Sequence, residues 1–502
     1  MSTLVPRPPY SDAELAALYP PQLRLCQVQI LLRHGERTPT NPRFANTGLP
    51  AFWPYCSAVN HLRNAVLDPD TARFSVLEWR RRLETTAPDG SPVLASGPGG
   101  QIDSICDAGM LTDRGRETTF HLGQRLRKLY VDQLGFLPAK VQNTDFMYAR
   151  STPIPRALES VQQALSGLFP RHARADDFSP PTIISRAPAD ETLFPNDSHC
   201  RRFAVLARAF AQRAADRWND SEDMAYLTDK LGKWMPPDRP RVAVDSRPRL
   251  SGIMDTVNAT SAHGPGTRLP REFYDARVKR VLEKIAVEEW YAGYKESEEY
   301  RTLGIGALLG DLVLRMVESA ARVPTSNSPP GMAKQQQPDA VPSGILFGLS
   351  GCHDTTLAAT LASLGALNED EWPPFTSHIA VELFQRTDTD AATPRHSWWD
   401  ALLGRSPSHQ HQIGRKPTQA LSEPEKKRLR DFYVRIRYND RPVAIPGCKA
   451  PGDHLDGDES FCTLQAFKSI VDRFTPHDWK QQCRTNMNAP PFPAAPEPAG
   501  YS

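Results

Sequence analysis

The sequence predicts an α/β protein with a helical insertion, and three observations predict it. Apolar strand-like runs at 26–32, 145–149 and 344–349 each end in a short, polar, charge-bearing turn. A helical pattern follows each turn. Between the second and third runs lies a long stretch of helical periodicity alone. Strand, turn and helix repeated in this way argue for a sheet flanked by helices, with ligands collecting at the carboxyl ends of the strands.

The elements follow in order. Residues 1–21 are proline-rich and are expected to be a flexible end. In the first run Cys26, Val28, Ile30 and Leu32 alternate, and the chain then reads Arg33-His34-Gly35-Glu36-Arg37-Thr38-Pro39. The second run leads to Arg150-Ser151-Thr152-Pro153. The helix after it carries Ile154, Leu158, Val161, Leu165 and Leu168 on one stripe, with Thr152 as the expected N-cap. From 186 to 322 the stripes Phe203, Leu206, Phe210 and Phe273, Val278, Val281, Leu282, Ile285 predict a helical cap. Residues 323–343, with Gln335-Gln336-Gln337 and many prolines, read as a flexible linker. The third run leads to Ser350-Gly351-Cys352-His353-Asp354 and a helix starting near Thr355 or Thr356 and stopping at Gly365. Ile379, Val381 and Leu383 predict a strand. Val434, Ile436 and Tyr438, then Asn439-Asp440, then Val443 and Ile445, predict a hairpin. The core thus spans 22–185 and 344–485, and 486–502 is expected to be a flexible tail.

Composition narrows the classes. A chain of 502 residues is too long for one core, and 39% hydrophobic with 24% charged residues suits a globular enzyme. Lys+Arg is 60 against Asp+Glu 58, which argues against a surface built to hold nucleic acid. The most apolar stretch, 302–317, is broken by Asp311 and Arg315, so no stable membrane insertion is expected. The first 21 residues lack the apolar region of a secretion signal; an intracellular protein is expected, cytoplasmic first and mitochondrial as the alternative. Eight cysteines without a CxxC pair are then expected to be reduced thiols, with Cys448 and Cys462 the first pair to test. The sequons at Asn196, Asn219 and Asn258 read as unused.

The first turn carries the chemistry. An imidazole, His34, stands between two guanidinium groups, Arg33 and Arg37, whose planar forks match phosphate oxygens. A neutral imidazole can attack phosphorus and form a phosphohistidine. The pattern R-H-G-x-R-x-P fixes five positions, and chance would produce it in on the order of one in ten thousand chains of this length. Arg150 is expected as a third clamp, and His353-Asp354 adds a second imidazole and a carboxyl group. Glu36 is assigned no chemistry beyond orienting Arg33 or Arg37. His409 and His411 sit without supporting acids, so no metal and no cofactor are expected.

At these residues the sequence resembles the histidine acid phosphatases, the long-chain branch of the histidine phosphatase superfamily. The likeness rests on the segment from Leu31 to Pro39, Leu111-Thr112 with Gly115 through Tyr130, Arg150-Ser151-Thr152 with Arg156 and Ser160, and His353-Asp354. Trp372-Pro373-Pro374-Phe375, Glu382-Leu383-Phe384, Tyr433 to Asn439 and Gly447-Cys448 look most like the lysophosphatidic acid phosphatase subgroup. The resemblance implies a phosphoglycerate-mutase-like three-layer core with a central mixed sheet. It implies His34 as nucleophile, Arg33, Arg37, Arg150 and His353 as holders of the phosphoryl oxygens, and Asp354 as proton donor. The arginines that keep His34 neutral also tend to keep Asp354 ionised, so an acidic optimum is expected. The substrate is expected to be a small-molecule phosphate monoester, with lysophosphatidic acid in view. The alternatives are an inositol phosphate and a degenerate, inactive phosphate-binding protein. The aromatic clusters 49–53 and Trp398-Trp399 read as core before they read as an acyl channel.

Overall fold

The computed structural model describes residues 8–322, 344–367, 371–387 and 413–502; the expected linker, Trp398, Trp399, His409 and His411 lie outside these described residues. The chain enters through α1 (Asp12–Leu18), whose Ser11 and Glu14 form a capping box, and continues into β1 (Leu23–Arg33). Two small hairpins follow, β2 (Leu62–Asp68) with β3 (Arg73–Trp79) and β4 (Glu84–Thr86) with β5 (Pro92–Leu94). Then come α2 (Asp113–Arg127), β6 (Met147–Ser151), α3 (Pro155–Leu168) and β7 (Ile183–Ile184). The helical stretch comprises α4 (Arg201–Trp218), α5 (Glu222–Leu231), α6 (Leu250–Ser261), α7 (Ala276–Glu296), α8 (Glu298–Arg301) and α9 (Ala307–Arg322). The chain returns through β8 (Phe347–Cys352), α10 (Asp354–Ser363) and β9 (His378–Arg386). It ends with α11 (Glu423–Arg430), β10 (Phe432–Tyr438), β11 (Arg441–Val443), β12 (His454–Leu455), β13 (Asp458–Thr463), α12 (Leu464–Asp472) and α13 (Trp479–Gln482).

The main sheet is mixed, in the order β12-β13-β10-β9-β1-β8-β6-β7, with β11 paired to β10. β1, β8, β6 and β7 run parallel, and from β9 onward the pairing is antiparallel. Helices cover both faces, so β1 and β8 are buried nearly throughout, as strands in a parallel layer must be. Val28, Ile30 and Leu32 face Leu122, Leu126, Val161, Ala164 and Leu168 of α2 and α3. These two helices cross at Gly123 and Gly167; a Cβ at Gly123 would meet the Ala164 carbonyl oxygen at 2.0 Å. The opposite face meets α9, α10 and α12, and the helices α4–α7 build their own apolar interior continuous with it. Gln29 Nε2 donates to the Leu312 carbonyl at 3.1 Å, so α9 belongs to the sheet's flanking layer although the sequence places it in the cap. Asn439 and Asp440 both take positive φ, 46° and 72°, and close the β10–β11 hairpin.

Several expectations need correction. The cysteines are not all reduced: Cys56–Cys106, Cys200–Cys483 and Cys448–Cys462 are disulfides, with Cα atoms 5.2, 4.6 and 5.3 Å apart, and only Cys26 and Cys352 remain free thiols. Neither end is a free tail over its described residues. Tyr19 donates to Glu382 Oε1 at 2.7 Å, and the Leu18 carbonyl accepts from Arg435. At the other end Glu497 N donates to the Glu296 carbonyl at 2.8 Å, and the Ala489 carbonyl accepts from Arg202 Nη1 at 2.9 Å. Thr152 is not the N-cap of α3; Ile154 holds that position without a side-chain bond, and Pro155 opens the helix. No helix among the described residues is long and apolar enough to cross a membrane.

Candidate active site

Adjacent parallel strands bring the three charged turns together. Arg33 is in register with Cys352 across β1 and β8, and Ser151 with Gly351 across β6 and β8. The residues just past these ends therefore emerge side by side at the carboxyl edge of the sheet. His34 N donates to the Cys352 carbonyl at 3.0 Å, and Thr152 N to the Gly351 carbonyl at 3.2 Å.

The first turn sits against the start of α2 with no space for side chains. A Cβ at Gly35 would lie 2.3 Å from the Gly115 carbonyl oxygen, and one at Gly115 would lie 2.2 Å from the Glu36 carbonyl oxygen. Ser160 Oγ accepts from Gly35 N at 3.1 Å, and Thr376, at φ 64°, donates its N–H to the His34 carbonyl at 3.2 Å. His34 Nδ1 lies 2.9 Å from the Gly35 carbonyl oxygen, so Nδ1 carries the proton in that bond and Nε2 keeps its lone pair. Burial holds the His34 pKa well below the ordinary imidazole range, and the positive charges of Arg156, Arg33 and Arg37 push it further down. His34 is thus held neutral over a wide pH range.

Around it, Arg33 and Arg37 lie over the Phe375 ring, 4.2 and 5.6 Å from its centroid. Arg33 Nη2 pairs with Asp354 Oδ2 at 2.7 Å, and Arg37 Nη1 with Asp255 Oδ1 of α6 at 2.7 Å. Asp255 also accepts from Arg43 Nη1 at 3.0 Å and from Thr40, and these donors hold its pKa at about 2 against the opposing effect of burial. The His353 ring centroid is 5.4 Å from that of His34, and its Nε2 is 3.1 Å from Thr152 Oγ1. Burial first, and then Arg156, depress the His353 pKa. Burial alone would raise the pKa of Asp354, but Arg33 and Arg37 outweigh it and keep the carboxyl ionised below its ordinary range.

His34, Arg33, Arg37, His353 and Asp354 are therefore brought together, whereas Arg150 is not part of this group. Its Nη2 lies 2.5 Å from Glu191 Oε1, and the charges acting on it are those of Glu191, Arg186 and Asp311. Arg156, in the first turn of α3, supplies the third guanidinium: its charge acts on His34, His353, Arg33 and Arg37, and burial lowers its own pKa to about 10. Arg156 belongs to the segment that carries the resemblance, but an Arg inside an amphipathic helix reads from sequence as a surface residue. Sequence assigns Asp255 and Trp372 no role here: the first lies in the helical stretch and the second in a framework motif. Glu36 does not orient Arg33 or Arg37, since its Oε2 accepts from Thr118 Oγ1 at 2.5 Å.

Comparison with known proteins agrees with this geometry. The family model of the histidine phosphatase superfamily, branch 2, matches residues 24–439. The chain belongs to that family. A probable acid phosphatase of Schizosaccharomyces pombe is 35% identical over 478 residues, covering 95% of this chain and 97% of its own. Human lysophosphatidic acid phosphatase type 6 is 28% identical over 392 residues, 73% of this chain and 75% of its own. Among solved structures, the multiple inositol polyphosphate phosphatase of Bifidobacterium longum with phosphate superposes with a TM-score of 0.52 at 12% identity, covering 94% of this chain and 97% of that one. A Hafnia alvei phytase with tartrate gives 0.51 at 14% identity, covering 92% and 99%. At such identities the structural likeness speaks to fold alone. This histidine phosphatase is a phosphate monoester hydrolase built on a mixed α/β sheet flanked by helices.

Proposed function

We propose that hydrolysis proceeds through a phosphohistidine on His34. Nε2 attacks phosphorus; the N–P bond forms as the ester P–O bond breaks, and Asp354, in the protonated fraction that acid favours, delivers its proton to the departing oxygen. Water then gives a proton to the Asp354 carboxylate and attacks phosphorus as the N–P bond breaks, releasing inorganic phosphate and restoring neutral His34. Arg33, Arg37, Arg156 and His353 hold the phosphoryl oxygens and stabilise the charge that grows on them. Arg156 takes the clamp role first expected of Arg150. The observation that carries this reading is the buried, neutral His34 with its free Nε2 among the cationic charges of Arg156, Arg33 and Arg37. His34→Ala is expected to abolish acid-labile phosphoenzyme and to lower kcat by about 10⁴-fold or more in a chromogenic monoester assay. Equal turnover by the variant and the parent would end the proposal.

Aromatic surroundings favour a monoester of an apolar alcohol, lysophosphatidic acid included, over an inositol polyphosphate. Trp372 donates to Asp354, Phe194 lies 5.9 Å from His353, and the neighbouring cation Arg43 is already paired with Asp255. Turnover of a lysophospholipid, glycerol phosphate and inositol hexakisphosphate in parallel separates these readings. The three disulfides favour an oxidising compartment over the cytoplasm expected from sequence.

A further inference from the structure

Asp354 opens α10, and its two carboxylate oxygens have different surroundings. Oδ2 receives the Arg33 guanidinium at 2.7 Å and the Trp372 indole N–H at 3.1 Å. Oδ1 receives a single donor, the Thr355 backbone N–H at 2.8 Å. Each oxygen of an ionised carboxylate offers two in-plane lone pairs. Oδ2 is therefore filled, and Oδ1 keeps one lone pair on which a proton can reside. Trp372 is itself held in place from α7. Its backbone N–H donates to Glu283 Oε1 at 2.8 Å, and its ring packs on Tyr291 and Trp290, with centroids 5.0 and 6.2 Å away.

We propose that Trp372 is a positioning residue: by occupying the second lone pair of Asp354 Oδ2, it confines the transferable proton to Oδ1 and sets the pH range over which Asp354 donates it. This rests on Asp354 being the proton donor of the reaction above. The O–H bond at Oδ1 breaks as the ester P–O bond breaks, and the departing oxygen leaves as a hydroxyl. The carboxylate that remains is the species Arg33 and Trp372 already grip at Oδ2. Oδ1 then accepts the proton of the attacking water, and the cycle closes on the same atom.

The groups facing Asp354 are Arg33 from β1, Arg37 from the first turn, Arg156 from α3, His353 beside it and the Tyr291 phenol from α7. All of them persist when Trp372 is changed, so the variant loses one donor to the charged form and nothing else at the carboxyl. A hydrogen bond to the carboxylate lowers its pKa, so losing that bond raises it. The alkaline limb of the kcat profile, which reports protonated Asp354, then moves upward by about half to one pH unit.

Two variants test this: Trp372→Phe, and replacement of Trp372 by benzothienylalanine, which keeps the fused rings but carries sulfur in place of the N–H. Both are assayed on glycerol phosphate, whose alkoxide needs a proton, and on p-nitrophenyl phosphate, whose phenolate needs little. The expected result is an upward-shifted alkaline limb in both variants. On glycerol phosphate kcat falls about three- to tenfold, with a smaller loss on p-nitrophenyl phosphate and KM within about twofold of the parent. An unmoved limb in the benzothienylalanine variant, or equal losses on the two substrates, overturns the proposal. Phosphoenzyme trapping separates the two levels. No phosphoenzyme in the parent protein sinks the histidine mechanism and this inference together, whereas phosphoenzyme in parent and variants with an unmoved limb sinks the inference alone.

Discussion

Two clusters of buried arginine and carboxylate sit on one sheet and are completed to different degrees. On β9 and β10, Glu382 receives Arg435 through Nε at 3.0 Å and Nη2 at 2.8 Å, and Arg437 through Nε at 3.1 Å and Nη2 at 3.0 Å. The hydroxyls of Tyr19 and Tyr130 add bonds of 2.7 Å each, and the carboxylate is saturated. At the end of β1 the arrangement is incomplete: Arg33 Nε, Arg37 Nε and Arg156 Nε are buried donors with no acceptor. Orphaned buried donors are costly, and a fold tolerates them where a ligand supplies the acceptors. Buried charge by itself therefore does not mark a site. What marks this one is that three guanidinium groups with orphaned donors act together on His34, whereas the orphaned Nε and Nη1 of Arg150 belong to a group already paired with Glu191.

The comparison breaks most visibly at Arg156. Arg156→Ala is expected to lower kcat/KM by about 100- to 1000-fold, as loss of one transition-state donor does, with the midpoint of thermal unfolding unchanged. A small kinetic loss with a large drop in melting temperature would place Arg156 with the structural cluster. Glu382→Gln should do the reverse. Two buried arginines lose their counter-charge, a destabilisation of about 3–5 kcal/mol in urea titration, and the folded variant keeps its specific activity. The pH dependence has a defined sign: burial raises the Glu382 pKa, but Arg437 and Arg435 outweigh it and hold the group at about 2. Its stabilising contribution is thus complete above the ordinary carboxylate range near 4.5 and fades as pH falls toward 2. Stability of Glu382→Gln measured over the same acid range should be flatter than that of the parent protein. The smallest effect is expected at Arg150. Glu191 keeps the Thr192 and Leu193 amides at 2.8 and 2.6 Å when the guanidinium is removed. Arg150→Met should therefore cost about 1–3 kcal/mol and leave kcat/KM within about threefold; a hundredfold kinetic loss would return Arg150 to the pocket.

What sequence reveals follows from how local each feature is. β1, β6 and β8 are apolar runs ending in charged turns, and the five residues His34, Arg33, Arg37, His353 and Asp354 occupy positions immediately beyond them, so pattern alone finds them. Arg150 and Arg156 share one short stretch, and only the direction in which β6 and α3 present their side chains separates their roles. Asp255 and Trp372 reach the group from α6 and from the segment before β9, distances along the chain that no periodicity encodes. The same holds for Cys200 and Cys483, joined across 283 residues. The helix at the amino end was legible in the Ser11 and Glu14 spacing, but its proline-rich surroundings suggested a free tail. The hairpin of β2 and β3 eluded detection for another reason: Phe74 and Val76 are 73% and 71% exposed, so no single apolar face shows in the alternation.

The glycines at 35 and 115 make the height of His34 above the sheet a matter of missing atoms. The Gly115 backbone occupies the volume that a methyl group on Gly35 would need, and the Glu36 backbone that of a methyl group on Gly115. A single methyl at Gly115 would push against the Glu36 backbone and shift the turn that carries His34, which the proposed mechanism requires in line with phosphorus, while leaving every charged group intact. Loss of turnover in this enzyme thus has a purely steric route, one that a survey of its polar residues would never detect.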